Sequence, residues 1–224
     1  MLYIRAPHPA ALPSLMCPAV ALGARILQCP SPSFDYESQL TWNLCLFNRM
    51  ILETARLILR PFQGEDIGRL AELMANRDFM RFSLGPYTRE QTQTVLQKFL
   101  SWNQAGLPSQ FAVFFRSNNE LIGYCGFLHW HLDGADEIEI GYRLDPGYWN
   151  RGLASEAARA VRDHAFRDLT LSKVISLIHP DNIASCRVAE KNGMKMERKT
   201  VFRGFPTQVF AITREQWQAE RGAG

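Results

Sequence analysis

The stretch Glu137-Ile-Glu-Ile-Gly-Tyr-Arg-Leu-Asp-Pro-Gly-Tyr-Trp-Asn-Arg-Gly-Leu-Ala-Ser-Glu-Ala157 reads as a strand that passes through a compact turn into an alanine-rich helix. The strand spans residues 136 to 144, Asp145-Pro146-Gly147 ends it, and the helix is expected from about Arg151 to Arg167. Gly152 and Ala154 are small enough for a ligand to approach the backbone closely. The first amides of a helix have no partner within it and stand at the positive end of the helix dipole, so such an end receives phosphate. Leu153, Ala157, Val161, Ala165 and Phe166 fall on one side and predict a buried stripe that anchors those amides against a sheet. On its own, a glycine near a helix start is commonplace, and the neighbouring segments must carry the rest.

Downstream, Lys173 to Ile178 is a strand that His179-Pro180-Asp181 breaks. Asn182 caps a helix to Asn192, Gly193 stops it, and two β segments near 194 to 203 and 207 to 213 precede a polar tail containing Trp217. Upstream, Leu57, Leu59 and Phe62 mark a short strand, and Gly64-Glu65-Asp66 opens a helix through about Asn76. Thr88, with Gln91 three residues on, caps a second helix whose Val95, Leu96, Phe99 and Leu100 form an apolar stripe. Phe111 to Phe115 and Leu121 to Trp130 are β segments joined by Ser117-Asn118-Asn119, which predicts an antiparallel hairpin. The order β-α-α-β-β-β-α-β-α-β-β defines a mixed α/β (α+β) fold.

Residues 1 to 49 are proline-rich, carry no acid before Asp35 and show neither helical nor strand periodicity. They are expected to be a poorly ordered extension outside the core, or the product of a start placed ahead of Met50. The catalytic domain then spans 50–217 and a polar tail 218–224. Apolar residues make up 46% and charged residues 21%, with a net charge of +3. The apolar runs are too short for a membrane span and the arginines are not clustered, so a cytoplasmic protein without direct nucleic-acid binding is expected, as a monomer or homodimer. Cys17, Cys29, Cys45, Cys125 and Cys186 are odd in number and far apart, without redox or zinc spacing. His129 and His131 share a strand face but have no third ligand in suitable spacing, and no metal is expected.

The 137–157 stretch, followed about thirty residues later by Asn182-Ile-Ala-Ser-Cys-Arg-Val-Ala-Glu-Lys-Asn-Gly-Met194, resembles the two signature motifs of the GNAT N-acetyltransferase superfamily. Trp149 stands where glutamine or arginine is usual in the Gln/Arg-x-x-Gly-x-Gly/Ala loop. That departure, with Thr54-Ala-Arg-Leu-Ile-Leu-Arg-Pro-Phe62 and Leu121-Ile-Gly-Tyr-Cys-Gly126, is similar to the RimJ/RimL-like branch of ribosomal-protein N-terminal acetyltransferases. The resemblance covers roughly residues 51 to 215. It implies the acyl-CoA N-acyltransferase fold, with about seven strands, helices on both faces and a splayed central parallel pair. It also implies acetyl-CoA as co-substrate. The pantetheine would pair with backbone of Ile140, Gly141, Tyr142 and Leu144, and the diphosphate would meet Asn150, Arg151, Gly152, Leu153, Ala154 and Ser155. Asn182 would face the cofactor from the following helix, with a simple N-cap as its alternative role.

Acyl transfer to an amine needs an unprotonated nucleophile, an oxyanion donor and a proton for the departing thiolate. Glu137 and Glu139 point the same way, and Glu139, nearer the presumed opening, is the expected base, against the alternative of an outward, solvated carboxylate. A backbone amide near Ile140 or Gly141 is the expected oxyanion donor. The second helix offers Ser185 in place of the superfamily's tyrosine as proton donor, with a helix-start hydrogen bond as its competing role. Cys186 has no adjacent base, so direct transfer in a ternary complex is favoured over an acyl-enzyme. The acceptor implied by the branch is a protein N-terminal amine. The alternatives are a small-molecule amine (antibiotic, polyamine or metabolite) and a non-catalytic acyl-CoA sensor.

Overall fold

In the computed structural model Leu52–Glu53 and Leu57–Pro61 form strands β1 and β2, with Leu57 and Leu59 wholly buried. The described residues are 50–222, and the expectations for residues 1 to 49 lie outside them. Pro61 closes β2, and a 3-10 turn at Gly64–Asp66 leads into α1 (Ile67–Ala75). The helix α2 (Arg89–Gln104) begins at Thr88, whose hydroxyl accepts from the Gln91 amide while the Gln91 side chain accepts from the Thr88 amide.

The hairpin of β3 (Gln110–Phe115) and β4 (Glu120–Leu132) is antiparallel, and β4 returns into β5 (Ala135–Leu144) through Asp133 and Gly134, both at positive φ. Then come α3 (Leu153–Arg167), β6 (Lys173–Ile178), α4 (Ile183–Lys191), β7 (Lys195–Phe202), β8 (Phe205–Thr213) and α5 (Arg214–Gly222). The last helix replaces the expected polar tail. Thr213 and Gln216 cap each other, Trp217 is 8% exposed, and its indole N–H donates to Asp163 at 2.8 Å.

The eight strands lie in the order β1-β2-β3-β4-β5-β6-β8-β7, one more than expected because the two-residue β1 joins the edge. All neighbours are antiparallel except β5 and β6, whose parallel register holds at a single pair, Glu139 with Ile175. On one face α3 packs Leu153, Ala157, Val161 and Ala165 against Phe127, Ile140 and Leu144. On the other, α1 and α2 bring Leu70, Leu73, Leu96 and Phe99 over Ala112, Leu121 and Tyr124. Helices therefore cover both faces of a mixed sheet, as expected, and the parallel pair lies near its middle. Among the described residues no helix is long and apolar enough to cross a membrane.

Candidate active site

The opening between β5 and β6 is built by two side chains that interrupt the ladder. Ser176, 3% exposed on β6, donates its hydroxyl to the Ile140 carbonyl at 2.8 Å. One residue further, the Leu177 amide donates to Glu139 Oε1 at 3.2 Å instead of to a strand carbonyl. With those positions taken by side chains, the strands diverge. Ile140 faces β6, so by strand alternation Tyr142 and Leu144 face the opening, while Gly141 pairs back with Gly126 of β4. By the same alternation the Gly141 amide is turned into the ladder with β4, and the next amide on the β6 side of the strand after Ile140 is that of Tyr142. The Leu144 carbonyl is also committed, accepting from the Trp149 indole at 2.7 Å.

That bond gives Trp149 its role. It latches the turn between β5 and α3 to the end of the strand, where the superfamily motif has a different side chain. The same turn is held from the other side by Asp145, which pairs with Arg69 at 2.6 Å, and by Tyr148, whose hydroxyl donates to Glu120 at 2.8 Å. Asn150 and Gly152 have φ of 58° and 74°, so left-handed residues flank Arg151 and curl the main chain into a concave run of amides. Gly152 is the N-cap of α3 and no side chain caps it. The amides of Leu153, Ala154 and Ser155 follow in the first turn, where a helix supplies no acceptor. Arg151 lies with its guanidinium 5.2 Å from the centre of the Tyr148 ring. This uncapped, positively polarised turn fits a diphosphate, so the residues present fit coenzyme A.

Sequence reasoning missed the residue that braces this turn. Arg56 on β2's approach donates to the Arg151 carbonyl at 2.9 Å and to Glu156 in the first turn of α3 at 2.7 Å. Glu156 also accepts from Thr54 and the Arg56 amide. Burial pushes its carboxyl up, but these hydrogen bonds and the Arg56 charge outweigh burial and hold it below the ordinary value. Thr54 and Arg56 are about a hundred residues from Glu156, and no local pattern joins them.

Glu139 is not the outward carboxylate that alternation alone allows: it is 8% exposed. Its Oε2 accepts from the Trp130 indole at 2.5 Å and its Oε1 from Leu177. Burial raises its pKa, opposed by those two hydrogen bonds and by the charges of Arg143 and Arg203. A carboxyl so placed is able to exchange a proton nearer neutrality than a solvated glutamate. Glu137, its neighbour on the same face, is instead tied to Lys173 at 3.3 Å.

Beside Glu139 the sheet carries a row of small residues. Gln110 of β3 is paired with Gly126, and Gly126 with Gly141. A Cβ on Gly126 would come within 2.6 Å of the Gln110 Cα, so only glycine lets the strands approach this closely. The Gln110 side chain, 1% exposed, lies across the two glycines with Nε2 3.7 Å from where a Gly141 Cβ would stand, and neither of its amide atoms has a partner among the described residues. The signal for it in the sequence was the pair of glycines, which only register relates.

On α4, Asn182 Oδ1 accepts from the Ser185 amide at 3.2 Å, the simple N-cap role. Tyr142, on the opposite strand, donates its hydroxyl to the Ser185 carbonyl at 3.0 Å, and burial pushes its pKa up. The structure thus brings Tyr142, Asn182 and Ser185 together at the β6 side of the opening. Cys186 is half-buried, its thiol against Gln208 at 3.5 Å and its pKa raised by burial and by the nearby Glu190 charge. His129 and His131 turn to the Pro108 carbonyl and to Asp136, and among the described residues no three His, Cys, Asp or Glu side chains gather as a metal-binding group.

The chain is similar to known proteins. An uncharacterized N-acetyltransferase of Bacillus subtilis, YnaD, is 31% identical over 175 residues, 75% of this chain and 99% of that protein. An acetyltransferase of the GNAT family from Bacillus anthracis, known by crystal structure, superposes with a TM-score of 0.64 at 29% identity, covering 74% of this chain and 99% of that one. A ribosomal-protein-serine acetyltransferase of Escherichia coli is 29% identical over 111 residues, 49% of this chain and 60% of that protein. The fold is that of an N-acetyltransferase. The acetyltransferase (GNAT) domain family matches residues 56–195, and the chain belongs to that family: it is an acetyl-CoA-dependent N-acetyltransferase.

Proposed function

We propose that the enzyme transfers the acetyl group of acetyl-CoA to a protein N-terminal amine, by direct attack within a ternary complex. The observation that carries the reading is Glu139, buried at the point where β5 and β6 part and held there by Trp130 and Leu177. The donor's diphosphate is assigned to the amides of Gly152, Leu153, Ala154 and Ser155, with Asn150 and Arg151 shaping the turn. Its pantetheine runs along β5 from Ile140 and Gly141 to Tyr142 and Leu144, adding a pseudo-strand where β6 has diverged. Asn182 fixes the start of α4 beside it.

Glu139 accepts the ammonium proton, directly or through water, and the free amine attacks the thioester carbonyl carbon. The C–N bond forms as the carbonyl electrons move to oxygen, opposite the Tyr142 amide. Collapse breaks the C–S bond, and the thiolate leaves with a proton from the Ser185 hydroxyl, which recovers it from solvent or the acceptor. The acceptor assignment is supported by the motif resemblance to the RimJ/RimL-like branch and by the similarity to the Escherichia coli ribosomal-protein-serine acetyltransferase. Incubation with labelled acetyl-CoA and libraries of peptides and of small amines, read by mass spectrometry, tests it. Turnover of free N-terminal peptides supports the reading. Label found on polyamines or antibiotics alone, or coenzyme A binding with no acetylation of any amine, overturns it.

A further inference from the structure

The face of β5 that carries Glu139 is flanked by α2, the end of β4 and the β7–β8 turn, and cations border it. Lys98 of α2 places its ammonium 4.5 Å from the Trp102 ring centre and 5.7 Å from that of Trp130. Arg203, at the β7–β8 turn, stands 4.8 Å from the same Trp130 ring, whose indole N–H holds Glu139. Arg143, four residues along the strand from Glu139 and on the same face, is fixed by the Phe79 and Phe82 carbonyls. Among the described residues none of the three has a carboxylate within 4.0 Å.

Acids stand near, but they are committed: Glu139, on which the Arg143 and Arg203 charges act, is held by the Trp130 indole and the Leu177 amide. Asp133 of the β4–β5 turn binds Arg198 and Thr200, and Glu137 faces Lys173 and Arg198. The aromatic faces of Trp130 and Trp102 locate the two outer cations but neutralise neither. Their mutual repulsion and the burial of the Lys98 stem lower that ammonium's pKa, burial more strongly. An anion between them relieves the repulsion, whereas a polycation entering the same mouth increases it. The positive surroundings also favour the acceptor amine in its unprotonated, nucleophilic form.

We propose that the acceptor carries a carboxylate a few atoms from its reactive amine, received by Lys98 and Arg203 above Trp130: on the reading of the previous subsection, a peptide with an acidic side chain just after its N-terminus. The rim position makes this a contribution to capture, expressed in KM and in salt sensitivity more than in kcat.

The test compares peptides that differ only in having Asp or Lys at their second and third positions, with spermidine and free amino acids alongside, each with labelled acetyl-CoA at low and high salt. The expected result is a preference of about tenfold or more in kcat/KM for the acidic peptide, residing in KM and shrinking at high salt. In the Lys98→Glu, Arg203→Glu double variant the preference inverts, with titration by acetyl-CoA reporting that the donor site is intact. Equal use of both peptides by the native enzyme, or preference for the basic one, overturns the proposal while leaving N-terminal acetylation standing. Turnover of acidic amino acids and of no peptide, with the same inversion, retains the proposal and removes the protein acceptor. Absence of turnover with every amine overturns both.

Discussion

A single buried carboxyl, Glu139, couples chemistry to stability. Because burial raises its folded-state pKa, the protonated form is the one that folding favours. Its contribution is complete below the ordinary glutamate value of about 4.3 and is lost as pH climbs through the raised one. The Glu139→Gln variant should therefore lack that pH-dependent loss in urea titrations run at a series of pH values. In the same variant kcat should fall by about a hundredfold or more, with acetyl-CoA affinity unchanged within about twofold. An unaltered kcat removes Glu139 as the base. Gln110 is the converse case, an amide buried without partners. Replacing it by methionine keeps the shape and removes the desolvated polar group, so stability should rise by about 1 kcal/mol. A loss of stability would mean that the amide is satisfied in solution.

Among the elements, the turn into α3 and the β5–β6 junction carry the proposed site, and each rests on one local feature. Asp tolerates the left-handed backbone better than most residues, so Gly152→Asp should fold. Its carboxylate would face the diphosphate, and calorimetric titration should detect no acetyl-CoA binding at concentrations that saturate the native enzyme. Unchanged affinity would move the donor site elsewhere. At the junction, Ser176→Ala strands the Ile140 carbonyl in a buried position. The cost should be about 1–3 kcal/mol by denaturant titration, well above that of an exposed serine. These two elements were legible to different degrees. The helix start was visible in Gly152 and the apolar stripe behind it, and the cap of α2 in Thr88 and Gln91, because both signals lie within a single element. The splay was visible only by resemblance, since its cause is a serine and a glutamate whose partners lie on another strand.

Over the whole molecule, two cores on opposite faces of one sheet hold the opening in place, and α5 closes one of them. Trp217 packs on Phe166 with ring centres 5.5 Å apart. Trp217→Ala should cost about 3 kcal/mol and lower the melting temperature in calorimetry. A shift within that of a surface substitution would show α5 to be dispensable. The thirteen-residue β4 runs from beneath α1, at Leu121, to Trp130, which holds Glu139, so one strand links the α1–α2 core with the Glu139 face.

What the chain's own sequence determined was the succession of elements, their caps and the glycine-started turn into α3, since periodicity, turn residues and capping are properties of near neighbours. It also put Glu139 within β5, Asn182 at the cap of α4 and Ser185 in that helix's first turn. Only the tertiary structure decided that Glu139 is buried rather than solvated, that Arg56 and Glu156 brace the helix start, and that the charges of Arg143 and Arg203 reach the Glu139 carboxyl while Lys98 and Arg203 both stand at Trp130. Burial and charge depend on which strands lie side by side, and that pairing joins residues too far apart in the chain for any local pattern to record.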